Sequence, residues 1–386
     1  MRYSEFENTI PTIQQTPVRL PAMEGHLEGK ELLRELSEAA GISGREEAAR
    51  EKMIRALESL VDRVQVDAMG NVVALKQGEA SKRGEKPNRL LFTAHTDEIG
   101  LVVSGFWEGF LRIQTVGGID RRVLLGQEVV VHGSQELTGV IGLRPPHLHH
   151  RQEEIPRLQD LLVDVGFSNE EEVRARVRVG DPISLKASFV ELLNDRVAGK
   201  AFDDRACVAA IIEAFRILQG QRHEWDIIFL GAVQEEIGHK GAITGGYAIF
   251  PDLAVALDVG FGMQPGVSKE KGFPLGKGPT LAIGPHFHTP LVQALKEIAQ
   301  KWNIAYQEEV MTSSGGTDAW ALQVVRSGVP TALLSLPIQS MHTVVETLHW
   351  RDVETTARWL ALFAASLTAE SKEKLAIHLP GGGSSE

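Results

Sequence analysis

A single cysteine, Cys207, stands in 386 residues, so no intrachain disulfide framework can form. Long apolar runs are missing as well. The longest, such as Trp359 to Ala365, fall far short of the roughly 20 residues that span a bilayer. The first residues, MRYSEFENTIPTIQQTP, lack a basic patch followed by an apolar stretch, so no secretory signal is read there. Basic residues are in deficit, 40 against 51 acidic, giving a net charge of -11. That balance argues against nucleic acid as the main partner, because phosphate binding favours a basic face. What remains is an ordinary globular composition, with 43% hydrophobic and 24% charged residues. The reading is a cytoplasmic protein with neither membrane nor nucleic-acid partners.

The organisation is mixed α and β. Residues 1–26 read as a polar arm and 379–386 as a flexible tail. Leu32, Leu33, Leu36 and Ala39 fall at helical spacing, and Ser43 with Glu46 has the spacing of a capping box opening a second helix. VQVDAMGNVVALK reads as two strands around Gly70-Asn71, and QGEASKRGEKPN as a polar loop. RLLFTAHTDEIGLVV begins as a buried strand. From 104 to 190 the texture changes to short β-rich runs separated by Gly and Pro, interrupted by one acidic helix, NEEEVRARV. This segment reads as a small β-rich domain inserted into an α/β domain formed by 27–103 and 191–378. Helix–strand alternation after 195 predicts a largely parallel sheet covered by helices.

Five segments place acids or histidines where a buried strand gives way to a loop, the edge at which open α/β sheets bind ligands. In AHTDEIG, His95 and Asp97 lie two residues apart and point the same way along an extended chain. His95 can ligate a metal while Asp97 orients it or a neighbour. In KAFDDRAC, Asp203 and Asp204 precede a helix, a position also suited to an N-cap. In FLGAVQEEIGHKGA, Glu235 and Glu236 end an apolar strand; if the backbone turns there, both reach one site, one as ligand and one as proton acceptor. Asp258 ends the apolar AVALDVG, and His342 follows the strand TALLSLP. Two histidines with several carboxylates suit a dinuclear zinc, cobalt or manganese site. The histidines of PPHLHH are read as exposed on a loop set by Pro-Pro, the pair His286 and His288 as structural despite a metal-compatible spacing, and Cys207 as a small buried helix residue on the same face as Asp203.

Taken together, AHTDEIG, VGGIDRRVLLGQEV, GVIGLRPPHL, KAFDDRAC, VQEEIGHKGA, ALDVG, GGTDAWALQ and SMHTVVET resemble the dinuclear metallo-aminopeptidases of the tetrahedral type, which include glutamyl and deblocking aminopeptidases. The resemblance implies a metallopeptidase domain with an inserted β-rich oligomerisation domain. It implies two divalent ions per subunit, zinc foremost. Asp203 would bridge them, His95 and Asp258 completing one and Glu236 and His342 the other. Glu235 would be the general base, and Asp97 would orient the first site. It further implies peptide substrates and dimers assembling into a tetrahedral dodecamer. The chain departs from the pattern at Cys207, at Gln339-Ser340 and after ALDVG. Two other reactions fit parts of the set: glycoside hydrolysis by a carboxylate pair, as in endoglucanases, and deacylation or another amide hydrolysis on the same site.

Overall fold

The computed structural model describes residues 29–143, 155–313 and 315–376. The expected arm and tail, and the three histidines of PPHLHH, lie outside them. The chain opens with helices α1 (Gly29–Glu38) and α2 (Glu47–Leu57), strands β1 (Arg63–Val66) and β2 (Val72–Lys76), one helical turn α3 (Glu79–Lys82) and β3 (Arg89–His95). The turn α3 interrupts the expected polar loop. Six strands follow: β4 (Gly100–Trp107), β5 (Phe110–Val116), β6 (Glu128–His132), β7 (Glu136–Leu143), β8 (Leu161–Asp164) and β9 (Pro182–Leu185). Helix α4 (Glu170–Arg174) lies between the last two, capped by Asn169, whose side chain accepts from Glu172 N–H at 3.0 Å. The remainder comprises β10 (Val190–Glu191), β11 (Arg196–Gly199), α5 (Phe202–Ile217), β12 (Asp226–Ala232), α6 (Lys240–Ile249), β13 (Leu253–Phe261), β14 (Thr280–Ile283), α7 (Thr289–Lys301), β15 (Gln307–Val310), α8 (Asp318–Gln323), β16 (Thr331–Ile338), β17 (Glu346–His349), α9 (Trp350–Ser366) and α10 (Ser371–Lys374).

Eight strands form the central sheet in the order β1-β2-β12-β3-β13-β16-β14-β15. Its four middle strands are parallel. All residues of β12 and β16 are buried, as expected where helices cover both faces. Helix α5 lies under the sheet, with Phe202, Ile211 and Phe215 inaccessible, and packs beside α1 and α9. Truncating such a phenylalanine to alanine costs about 3–5 kcal/mol. On the other face, α6 and α8 bury Ala242, Ala321 and Leu322 against Leu91 and Leu230. Strands β4 to β9 close into a barrel with its own core around Leu101, Leu111, Val129, Val163 and Ile183. A small sheet, β10-β11-β17, ties the segment after the barrel to the far end of the chain. Among the described residues no helix is long and apolar enough to cross a membrane.

The expected capping box is absent. Glu46 itself occupies the cap position of α2, and its carboxylate accepts from Gly44 N–H at 2.5 Å. The Ser43 hydroxyl is taken by another partner, the Asp97 carboxylate at 2.6 Å.

Candidate metal centre

Parallel pairing aligns the C-terminal ends of β3, β12, β13 and β16 along one sheet edge. That edge carries four of the five predicted segments, and Asp203 and Asp204 approach it from the start of α5. His95 is the last residue of β3, the two glutamates follow β12, Asp258 lies within β13, and His342 follows β16. After β12 the chain turns through positive φ at Gln234 (57°), while Gly238 lies at 117°. The turn takes the glutamates out of strand alternation and lets both face inward. At the start of α5, Asp203 and Asp204 keep non-helical dihedrals, and neither side chain caps the helix.

Asp203 is the hub. Its Oδ1 lies 3.0 Å from His95 Nε2, and its Oδ2 lies 3.2 Å from His342 Nε2. Glu236 Oε1 is 3.5 Å from the same His342 nitrogen. Donor atoms of His95, Asp203 and Glu236 gather in one group, and those of His95, Asp204 and Asp258 in another. The other ring nitrogen of each histidine is fixed by a main-chain carbonyl: Asp97 O at 3.0 Å from His95 Nδ1, and Gly118 O at 2.8 Å from His342 Nδ1. The Asp97 carboxylate stands 3.7 Å from His95 Nδ1. Its hydrogen bonds come from Ser43, Glu235 N–H at 2.9 Å and Glu236 N–H at 3.2 Å. Glu235 is buried, with Oε2 4.0 Å from His95 Nε2.

Burial dominates the electrostatics. It pushes the carboxyls of Asp204 and Asp258 well up, and that of Glu236 up to about 7, with Asp203 adding to the shift in each. Asp203 is held well below the usual range by the two histidines, in spite of its own burial. Its carboxylate in turn draws His342 up to about 9. One buried oxygen, Asp204 Oδ1, has no hydrogen-bond partner. So many acids around two imidazoles are short of positive charge. Nitrogen and carboxylate donors of this kind fit divalent zinc, cobalt or manganese.

Three residues escaped the sequence reading. Buried Glu346 accepts from Asp203 N–H at 3.0 Å with Oε2 and from His342 N–H at 2.8 Å with Oε1, so one carboxylate sets the main chain of both. His239 Nδ1 lies 2.9 Å from Glu235 Oε1 and 3.4 Å from Asp318 Oδ1. Asp318, then Glu235, raise His239 to about 10. All three sit in segments whose flanks drew attention, yet only the fold shows what they face. Arg205 supports the floor: its guanidinium donates to Thr96 O at 2.9 Å and to Ala39 O at 2.6 Å, joining the exit of β3 to the end of α1. A cleft of about 340 Å³ opens over Asp203, Glu235, Glu236, Asp258 and His342, with Glu309 in its wall. His286 and His288 are not among the residues lining it.

Residues 70–359 match the model of the M42 glutamyl aminopeptidases. A lysyl aminopeptidase of Pyrococcus furiosus is 38% identical over 336 residues, covering 85% of this chain and 94% of that protein. The TET aminopeptidase structure from Thaumarchaeota archaeon SCGC AB-539-E09 superposes with a TM-score of 0.84 at 33% identity, covering 90% of this chain and 98% of that one. The TET1 peptidase of Pyrococcus horikoshii, which can assemble into a tetrahedron or a large octahedral shell, gives 0.78 at 36% identity, over 88% of this chain and 99% of that one. The fold and the family match agree: the chain is a peptide hydrolase and belongs to the M42 glutamyl aminopeptidase family.

Proposed function

We propose that this protein removes N-terminal residues from peptides, using two divalent ions and Glu235 as general base. The observation that carries the reading is Asp203, whose two oxygens each face a different histidine, as a bridging carboxylate does. Asp203, His95 and Asp258 would hold one ion, and Asp203, Glu236 and His342 the other. Bound there, zinc, cobalt or manganese supplies Lewis acidity to the scissile carbonyl and makes water a better nucleophile near neutral pH. Glu235 accepts the water proton and passes it to the leaving amine. Asp97 holds the main chain of Glu235 and Glu236 in place, which keeps base and ligand at fixed spacing. Glycoside hydrolysis needs only two carboxylates; it leaves His95 and His342 without a task, and the family match is to a peptidase.

Glu235→Gln tests the reading. Turnover of an aminoacyl chromogenic substrate should fall at least about 10²-fold with metal content near wild type. Survival of activity within roughly tenfold removes Glu235 as base. Blocking the substrate's α-amine should abolish turnover; retained turnover points to deacylation or another amide hydrolysis.

The protein works as a homo-oligomer in the cytoplasm, built from dimers through the β4–β9 barrel into a tetrahedral dodecamer. The named assemblies of the P. horikoshii relative support this. So do the large apolar side chains that the barrel strands expose, Trp107 and Val140, and Val179 in the turn before β9. Light scattering that returns the mass of one or two 42.2 kDa chains sinks the dodecamer.

A further inference from the structure

Glu235 faces two ways. Its Oε2 looks toward His95, whereas Oε1 looks away from the cluster, to His239 and Asp318. Donor atoms of Glu235, His239 and Asp318 lie within 4.8 Å of one another, a grouping that includes none of the ligands assigned above. We propose that Glu235, His239 and Asp318 form a separate site for a divalent transition ion of the zinc type, and that an ion bound there withdraws Glu235 from proton transfer. The second half rests on Glu235 being the base; the first does not.

The donor set is one imidazole nitrogen and two carboxylates, which suits borderline ions such as zinc. The separations of 2.9 and 3.4 Å match the spacing of neighbouring donors around one ion. With metal bonds of about 2.1 Å, two tetrahedral donors stand roughly 3.4 Å apart. Asp318 supplies an independent sign. It is 1% exposed, and neither of its carboxylate oxygens has a hydrogen-bond partner. With no well-formed hydrogen bond and only an ion-pair contact to His239 Nδ1 at 3.4 Å, which Glu235 shares, this buried carboxylate remains short of positive charge, a costly state that a bound cation relieves. Proton-sharing serves the cluster poorly. One N–H on His239 Nδ1 can point at Glu235 or at Asp318, while an ion engages both. Ions can reach the place, because Glu235 and Thr317, next to Asp318, line the open cleft.

The test measures metal binding and turnover separately, on the full chain. Equilibrium dialysis against excess Zn²⁺, with metal per subunit read by atomic absorption, is compared for wild type, His239→Asn and Asp318→Asn. Asparagine is chosen at 239 because it tolerates the positive φ of 54° there. Wild type should hold one more equivalent than either variant. Over the same zinc range, wild-type turnover should fall about 10²-fold, the contribution of a general base, while each variant keeps its own rate. Equal metal content in wild type and both variants overturns the site. An extra ion lost in the variants, with wild-type turnover unmoved by zinc, upholds the site and overturns Glu235 as base. A Co²⁺ titration of wild type followed by visible absorption reads the same site without any substitution: saturation at the equivalents held by the His95–Asp203–His342 cluster alone overturns it.

Discussion

The Asp97 carboxylate accepts the main-chain N–H of Glu235 at 2.9 Å. An acid beside the first histidine thereby sets the turn that carries both glutamates. Losing that grip should loosen the proposed base and the proposed ligand together. Asp97→Ala is expected to lower kcat by about 10–100-fold, the usual effect of removing an outer partner of a metal site. Ser43→Ala, which removes only the 2.6 Å hydroxyl contact to the same carboxylate, should cost less. Steady-state kinetics on metal-reconstituted protein checks both, and an unchanged kcat in Asp97→Ala refutes the role.

Glu346 makes a second structural demand. It receives N–H groups from Asp203 and His342, one on each oxygen. An amide has one acceptor oxygen, so Glu346→Gln must release one of them. Metal affinity should drop by about 10–100-fold. Competition with a chromophoric zinc chelator measures it, and wild-type retention of zinc would count against the assignment.

The wall of the cleft carries Glu309, whose Oε2 accepts from Thr280 Oγ1 at 2.8 Å. A lysine or arginine side chain entering the cleft meets this carboxylate. Glu309→Gln should reduce the ratio of kcat/KM for lysyl over leucyl substrates by up to roughly fivefold, the worth of a half-exposed ion pair. A ratio that does not move assigns the preference elsewhere.

Away from the cleft, His223 predicts a pH effect on stability. Its ring is buried, with Nδ1 2.8 Å from Trp225 O, and burial, aided by Lys76 and Lys82, lowers its pKa below the ordinary 6.5. The unfolded chain therefore binds the proton more readily than the folded one. The stabilisation is complete above pH 6.5 and is lost as pH falls through the lowered folded value. The melting temperature of wild type should fall more steeply below that pH than that of His223→Gln. Parallel curves would falsify the link.

The sequence made much of this edge readable, because strand ends in parallel sheets announce themselves: RLLFTA and LAVAL are apolar enough to be buried, so His95 and Asp258 had to emerge at one side. The β-rich texture of the insert likewise foretold a separate sheet. What stayed hidden depends on contacts between distant segments. Ser43 has the spacing of a capping residue, but Asp97, 54 positions away, claims its hydroxyl. Glu346 resembles any polar residue beginning a strand until Asp203 approaches it across 143 positions. Asp318 reads as an ordinary first-turn acid, and no local pattern shows that it faces His239 across 79 positions without a hydrogen bond to either oxygen.

The turn after β5 reaches the candidate site through main chain. Gly118, just beyond β5, gives its carbonyl to His342, and a Cβ there would lie 3.0 Å from the ring nitrogen. Its neighbour Gly117 crowds Glu236 in the same way, with a Cβ 3.3 Å from the carboxylate. The barrel therefore holds the orientation of an imidazole in the candidate site. A chain trimmed of residues 100–185 would lose the Gly118 carbonyl, leaving the His342 ring its Nε2 contacts to Asp203 and Glu236. Any contact that displaces the Gly117–Gly118 turn is passed directly to that ring, so on the proposed assembly and chemistry, packing between subunits and competence for hydrolysis would share one hinge.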